Sequence, residues 1–424
     1  MSTSPQTPEG GGPPGGAAVW WRRPAVLAAA AAVIVAGAVA VAVAAGRGHG
    51  GSGGRSGAAT STTAPANGPS PTGDGASGPT GPAASGPGAT TGPGGGGPGT
   101  GPAPGATTTA PKPAPGPGLV AFASRRFGTP GIYVVAGDGT GEARLTPVQG
   151  EYQTPVWSPD GTKIAFAARR LDNTDVYVVG ADGKDERRLT SDPGEDFDPA
   201  WSPDGRRIAF TGRRGGNVDV YVVDAGGGGE HRLTDSSDDE FGPAWSPDGG
   251  RIAYTRSIGS GASAIWTVAP DGSGPRALIS PPGANLGPVW SPDGRQLAFV
   301  STRAGNSDVF VAGADGSGAR AVTTDPGEDL SPAWSPDGRR LAYISQRNAD
   351  RDVHVVDADG RNDRALAPNR SEESTPVWSP DGARLVFVSD RDGIRQLYLV
   401  AADGSGLRQL SPGAGPNFDP RWKP

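Results

Sequence analysis

The chain has 424 residues, of which 71 are Gly and 44 Pro, more than a quarter of the total, yet it also holds 10 Trp and is 35% hydrophobic. No Gly-X-Y period runs through it, which excludes collagen, and this much Gly and Pro excludes a mainly helical protein. The absence of Cys excludes disulfides, thiolate sites and a lipid-modified cysteine, the 3 His leave little for imidazole chemistry, and a net charge of −6 argues against a nucleic-acid partner.

Four segments follow in chain order. Residues 1–23 are polar, rich in Gly and Pro and without period, so a disordered cytoplasmic tail is expected. Residues 24–46 are predicted to be a transmembrane helix, an uncleaved signal anchor. From position 25 the segment is 22 uncharged residues, mostly Ala and Val, and as a helix it would span about 33 Å, enough for a bilayer core. Trp20 and Trp21 suit the interface. Arg22 and Arg23 favour a cytoplasmic N-terminus and a single-pass protein of the cell membrane, with the rest of the chain outside the cytoplasm. The competing reading, a cleaved signal peptide, rests on the small-residue pattern Ala42-Val43-Ala44.

Residues 47–117 contain 22 Gly and 14 Pro in 71 positions and no Val, Leu, Ile, Met or aromatic residue. With no apolar surface to offset the entropy of ordering, this segment is predicted to be a disordered linker. Of the 38 Lys and Arg only four are Lys. Together with the Ala and Gly richness, this is an actinobacterial-type, high-GC composition.

A repeat governs residues 118–424. Trp-Ser-Pro-Asp-Gly begins at Trp157, Trp201, Trp245, Trp290, Trp334 and Trp378, at spacings of 44 or 45, and a degraded copy ends at Trp422. Within a unit, short runs such as Ile208-Ala-Phe and Val220-Tyr-Val-Val are β-branched, aromatic and bounded by turn residues, which predicts four strands. Ser-Pro-Asp-Gly fits a type I turn. The Asp-Gly pairs at Asp138, Asp182, Asp271, Asp315, Asp359 and Asp403 mark a second turn, between the third and fourth strands. Four strands per 44 residues is one propeller blade. The segment opens at Leu119 on a second strand and closes at Trp422 on a first strand. The two fragments complete each other, predicting an all-β fold, a seven-bladed β-propeller of four-stranded antiparallel blades.

These motifs resemble the TolB-like family of WD-type β-propeller repeats, over residues 118–424. The type member of that family has six such repeats behind a small α/β domain and is periplasmic. Here seven units follow an apolar segment and a linker. The repeat also resembles propellers that precede serine-peptidase domains, and no such domain follows Pro424.

A fold of this kind hosts many functions, so function must come from a site. His49, His231 and His354 form no constellation, and the six motif aspartates, Asp160, Asp204, Asp248, Asp293, Asp337 and Asp381, share one turn-forming job. Five residues before each Trp stand Tyr152, Asp196, Glu240, Asn285, Asp329, Glu373 and Asn417. Asp196, Glu240, Asn285, Asp329, Glu373 and Asn417 are the candidate partner-binding ring at one channel mouth, a negative mouth able to attract a basic peptide or a calcium ion. The competing reading is structural. Arg126, Arg170, Arg214, Arg303, Arg347 and Arg391 recur at the hairpins of the same face, with Asp175, Asp219, Asp308 and Asp352 at the start of the next strand, so the two sets are expected to pair. The unit of Trp245 lacks this Arg and has Ile258 there.

The expected function is therefore non-catalytic. A membrane-tethered, extracytoplasmic propeller, a monomer without cofactor, binds a protein, a peptide or a cell-wall component. Two alternatives remain: a hydrolase or lyase acting on glycan or peptide at the channel mouth, and a structural or sensor ectodomain. Residues 118–424 carry 33 Lys and Arg against 42 Asp and Glu, which argues against nucleic acid as the partner.

Overall fold

The computed structural model describes residues 118–424 except 127, 148–149, 348–349 and 414. The expected tail, membrane helix and linker lie outside the described residues. Among the described residues no helix is long and apolar enough to cross a membrane.

Twenty-eight strands, β1 to β28 in chain order, form seven four-stranded sheets, one per blade. The first blade joins β1 (Leu119–Ser124), β2 (Gly131–Ala136) and β3 (Ala143–Arg144) to the last strand, β28 (Asn417–Trp422), in the order β28-β1-β2-β3. Val120 pairs with Trp422 and Ser124 with Asn417, and Lys423 N–H donates to Leu119 O at 2.7 Å. The two ends of the repeat segment thus close the ring, as the two incomplete units predict.

The innermost strand of every blade ends in the repeat Trp: β4 (Glu151–Trp157), β8 (Asp196–Trp201), β12 (Glu240–Trp245), β16 (Asn285–Trp290), β20 (Glu328–Trp334), β24 (Glu373–Trp378) and β28. These strands begin earlier than the apolar runs suggest, and each contains a bulge. In β8 the register breaks between Phe197 and Ala200, and the same break recurs in the other six. The unpaired residues are a Pro and its predecessor. Pro has no N–H to give to a ladder, so it belongs at a bulge. The predecessor has positive φ in all seven blades: Thr154 (46°), Asp198 (58°), Gly242 (64°), Gly287 (60°), Ser331 (56°), Thr375 (49°) and Asp419 (50°).

The hydrophobic core lies between blades. Ile208, Phe210 and Tyr221 face Ala165, Val176 and Val178 of the preceding blade, while Ala209, Val220 and Val222 face Trp245 and Ile252 of the following one. Both sheet faces are therefore covered, which explains why the strands read as continuous apolar runs. The Trp side chains stitch these junctions. Trp201 Nε1 donates to Val156 O at 3.0 Å and Trp245 Nε1 to Ala200 O at 3.1 Å, and Trp157 Nε1 reaches Arg421 O at 3.1 Å across the closure.

The Ser-Pro-Asp-Gly turn has a fixed internal network. Ser158 Oγ donates to Asp160 Oδ1 at 2.6 Å, Asp160 Oδ1 accepts the Thr162 N–H at 3.0 Å, and Gly161 takes φ 65°. These donors hold the Asp160 carboxyl down at about 2. The other five motifs repeat the Ser–Asp bond, so the six aspartates form turns.

Candidate functional site

The structure brings Asp196, Glu240, Asn285, Asp329, Glu373 and Asn417 onto one ring, at the start of the innermost strands rather than in the loops before them. Their side chains do not point into the mouth. All six are buried, at 0 to 1% exposure, each in the junction with the preceding blade. Glu373 Oε2 accepts the Val353 N–H at 2.8 Å, Asn285 Nδ2 donates to Ser263 O at 3.0 Å, and Asn417 Nδ2 donates to Gln396 Oε1 at 2.7 Å.

The Arg ring supplies most of the compensating charge. Arg214 Nη2 lies 3.1 and 3.2 Å from the two Asp196 oxygens, its Nη1 contacts Glu230, and its guanidinium stacks over Tyr221 at 4.0 Å. Arg303 donates to Asn285 Oδ1 at 2.7 Å, and Arg391 pairs with Glu373. Arg170 instead reaches the Tyr152 hydroxyl at 3.3 Å and Glu186 at 2.7 Å. Arg347 pairs with Asp325 and Asp363 and leaves Asp329 beside Ser345 and Thr323. Burial pushes Asp196, Asp329 and Glu373 up to about 7, because removing a carboxylate from water disfavours its charged form.

Two parts of the expected pairing differ. Asp175 and Asp219 do not meet the hairpin Arg ring; they pair with Arg188 at 2.8 Å and Arg232 at 2.7 Å, from the outermost strands. Nor does the blade of Trp245 lack a cation. Arg256, two residues before Ile258, lies 2.8 Å from Asp238 and 3.7 Å from Glu240 and stacks over Trp266 at 4.8 Å. The partners that sequence reasoning missed, Glu142, Glu186 and Glu230, each stand sixteen residues after an Arg of the ring, a spacing visible in the repeat. Among the described residues no group of three or more His, Cys, Asp or Glu side chains is placed to hold a metal ion. His354 is buried against Tyr343 and accepts or donates at 3.1 Å to Asp363, a structural contact in the position of a tyrosine.

The channel is the second concave feature. The bulge residues and the residues just before each Trp line it. At the latter position six blades carry Val or Ala (Val156, Ala200, Ala244, Val289, Ala333 and Val377) and the closing blade carries Arg421. Arg421 borders two cavities, of about 240 and about 410 Å³, which also share Gly287 and Val289. The smaller one also holds Asp198 and Thr255. Burial lowers the affinity of Arg421 for its proton, and Asp419 partly restores it.

Seven four-stranded blades, closed by a strand from the far end of the chain, define a β-propeller whose junctions are built from a Trp-Ser-Pro-Asp-Gly repeat. The TolB beta propeller domain model matches residues 140–257, 235–329 and 271–424, and the chain belongs to that family. No curated protein matches it. Among solved structures it is similar to an oligogalacturonate lyase from Vibrio parahaemolyticus, at 17% identity and TM-score 0.52, over 69% of this chain and 84% of that one. It is also similar to a puromycin-hydrolyzing peptidase from Mycobacterium tuberculosis, at 19% identity and TM-score 0.53, over 62% of this chain and 46% of that one. TolB from Acinetobacter baumannii matches at 18% identity and TM-score 0.49, over 72% of this chain and 67% of that one. At these identities the likeness is one of fold.

Proposed function

We propose that this chain is a non-catalytic binding module. It is tethered to the membrane by residues 24–46, held outside the cytoplasm on the 47–117 linker, and binds a protein or peptide at the propeller face that carries the Arg hairpins. The observation that supports this reading is Leu171. It forms the tip of the hairpin between β5 (Lys163–Arg170) and β6 (Asn173–Gly180), is 98% exposed, and has φ 57°. A left-handed turn position favours Gly or Asn, and full exposure gives Leu no folding benefit, so its use is explained by an apolar contact outside the chain. Ile258 and Ile394 are exposed on the equivalent hairpins of two other blades. The acidic ring beneath shapes these hairpins through its Arg partners, and a partner meets the hairpins.

The test is photo-crosslinking of the full chain in its native membrane, with a crosslinker at position 171, 258 or 394 and a control at Leu407 on the opposite face. The expected result is one discrete protein attached from the hairpin positions and lost in Leu171→Asn. Equal labelling from position 407 would overturn the assigned face. Turnover of a glycan or peptide by the purified protein would overturn the non-catalytic reading.

A further inference from the structure

The departure of the closing blade from sevenfold repetition lies in the channel, away from the hairpin face. The 410 Å³ cavity is lined by Trp290, Trp334, Ser331, Thr375, Arg421, prolines and small aliphatic residues, and Arg421 is its sole charged side chain. Its size is that of a small-molecule site, and an apolar wall with a few polar groups is how such sites are built. Pro292, from a Ser-Pro-Asp-Gly turn, is among the lining residues.

The guanidinium is poorly satisfied within the protein. Among the described residues its one hydrogen bond is from Nη1 to the carbonyl of Pro420, the adjacent residue, at 2.9 Å, and the carboxylate of Asp419, two residues before it, acts on it only from beyond ion-pair distance. A planar fork of five donors that meets one backbone carbonyl beside a mainly apolar cavity wall is costly unless a further anion meets it. Thr375 Oγ1, in the same lining, has no hydrogen-bond partner among the described residues. On the fold's own pattern Arg421 is dispensable, since Val or Ala fills the position in every other blade.

We propose that the channel binds a carboxylate borne on a compact apolar body. Arg421 grips the two carboxylate oxygens side by side, the geometry a guanidinium offers and a single ammonium does not. Thr375 and Ser331 donate hydroxyl hydrogens to the same group, and the body rests on Trp290, Trp334 and the aliphatic wall. The carboxylate belongs to a free small acid or to the C-terminus of a peptide.

Calorimetric titration of the full-length protein with benzoate tests this, with benzamide, inorganic phosphate and two peptides ending in Phe, one with a free and one with an amidated C-terminus. The expected result is benzoate or free-carboxylate peptide binding below about 1 mM, with the neutral counterpart at least tenfold weaker. Binding of the peptide without benzoate would assign the carboxylate to a polypeptide end, and the reverse to a small acid. In Arg421→Val, which restores the residue of three other blades, folding by circular dichroism is retained and binding is lost. Thr375→Val, which keeps the shape without the hydroxyl, weakens binding several-fold. The proposal is overturned if benzamide or phosphate binds as well as benzoate, if Arg421→Val keeps the wild-type affinity, or if no carboxylate binds at about 10 mM, where even weak millimolar sites fill.

Discussion

Asp329 isolates what a buried acid does to this fold. It is fully buried, has no Arg partner among the described residues, and its carboxyl is raised by burial to about 7. An unfolded aspartate titrates near 4, so between about pH 4 and 7 the folded form holds a proton that the unfolded form has lost. The stability this contributes is complete below the unfolded value and falls away as pH rises through 7. Asn285 and Asn417 show that an amide fits the same position. Asp329→Asn is therefore expected to raise the melting temperature at pH 8, to change it little at pH 4, and to flatten the pH dependence between. Thermal unfolding across that range checks it, and a mutant less stable than the wild type at pH 8 would refute it. A second residue-scale case is Gly242, at φ 64° in its bulge, with open space where a Cβ would stand. Gly242→Ala meets no neighbour, so its expected cost of about 1 kcal/mol in chemical denaturation comes from the left-handed conformation alone.

At the scale of the element, the innermost strand joins a buried acid, a bulge and an indole. Arg214→Ala removes the guanidinium from Asp196, Glu230 and Tyr221 together. Leaving a buried carboxylate without its cation costs about 3 kcal/mol or more. Asp196 accepts a proton more readily in acid, so the loss is expected to be largest above pH 7 and small near pH 5. Denaturation midpoints at the two pH values measure the difference, and an equal loss at both would show that Asp196 is not the group affected. The strands and turns of this element were legible because local chemistry writes them: Pro-Asp-Gly fixes one turn, Asp-Gly the other, and β-branched runs lie between. The bulge was half legible. Pro occurs two residues before every Trp, yet the positive φ of Thr154 and Thr375 is imposed by the closed ring, against the preference of a β-branched residue. The spacing of the acid and Arg rings was visible, but their burial was not, because a sequence shows that Asp196 and Arg214 recur without showing that a neighbouring blade covers them. Arg256 was missed for a related reason. It departs from the repeat register, and only the stacking over Trp266 reveals that it takes the place of the missing hairpin Arg.

The whole molecule depends on closure. Six blades are continuous in sequence, and the seventh is assembled from β28 and the three strands that open the propeller. If residues 417–424 are removed, β1 is left as an open edge, the Val120–Trp422 and Ser124–Asn417 pairings are lost, and Trp157 loses its acceptor at Arg421 O. An unpaired strand edge invites pairing with another copy. Because each blade packs only on its neighbours, opening one junction releases both faces beside it. The truncated protein is expected to self-associate on size-exclusion chromatography and to unfold well below the wild type, by more than about 5 °C, the shift that a loss of a few kcal/mol gives a domain of this size. A monomeric truncation with an unchanged melting temperature would mean that the six continuous blades are stable as an open array. Arg421→Val supplies the control, since it keeps β28 and its pairing and changes only the side chain facing the channel. Its melting temperature is expected to fall less than that of the truncation, by the cost of leaving buried Asp419 without the nearby guanidinium, which separates the strand's part in closing the ring from the part of the Arg421 side chain in the channel.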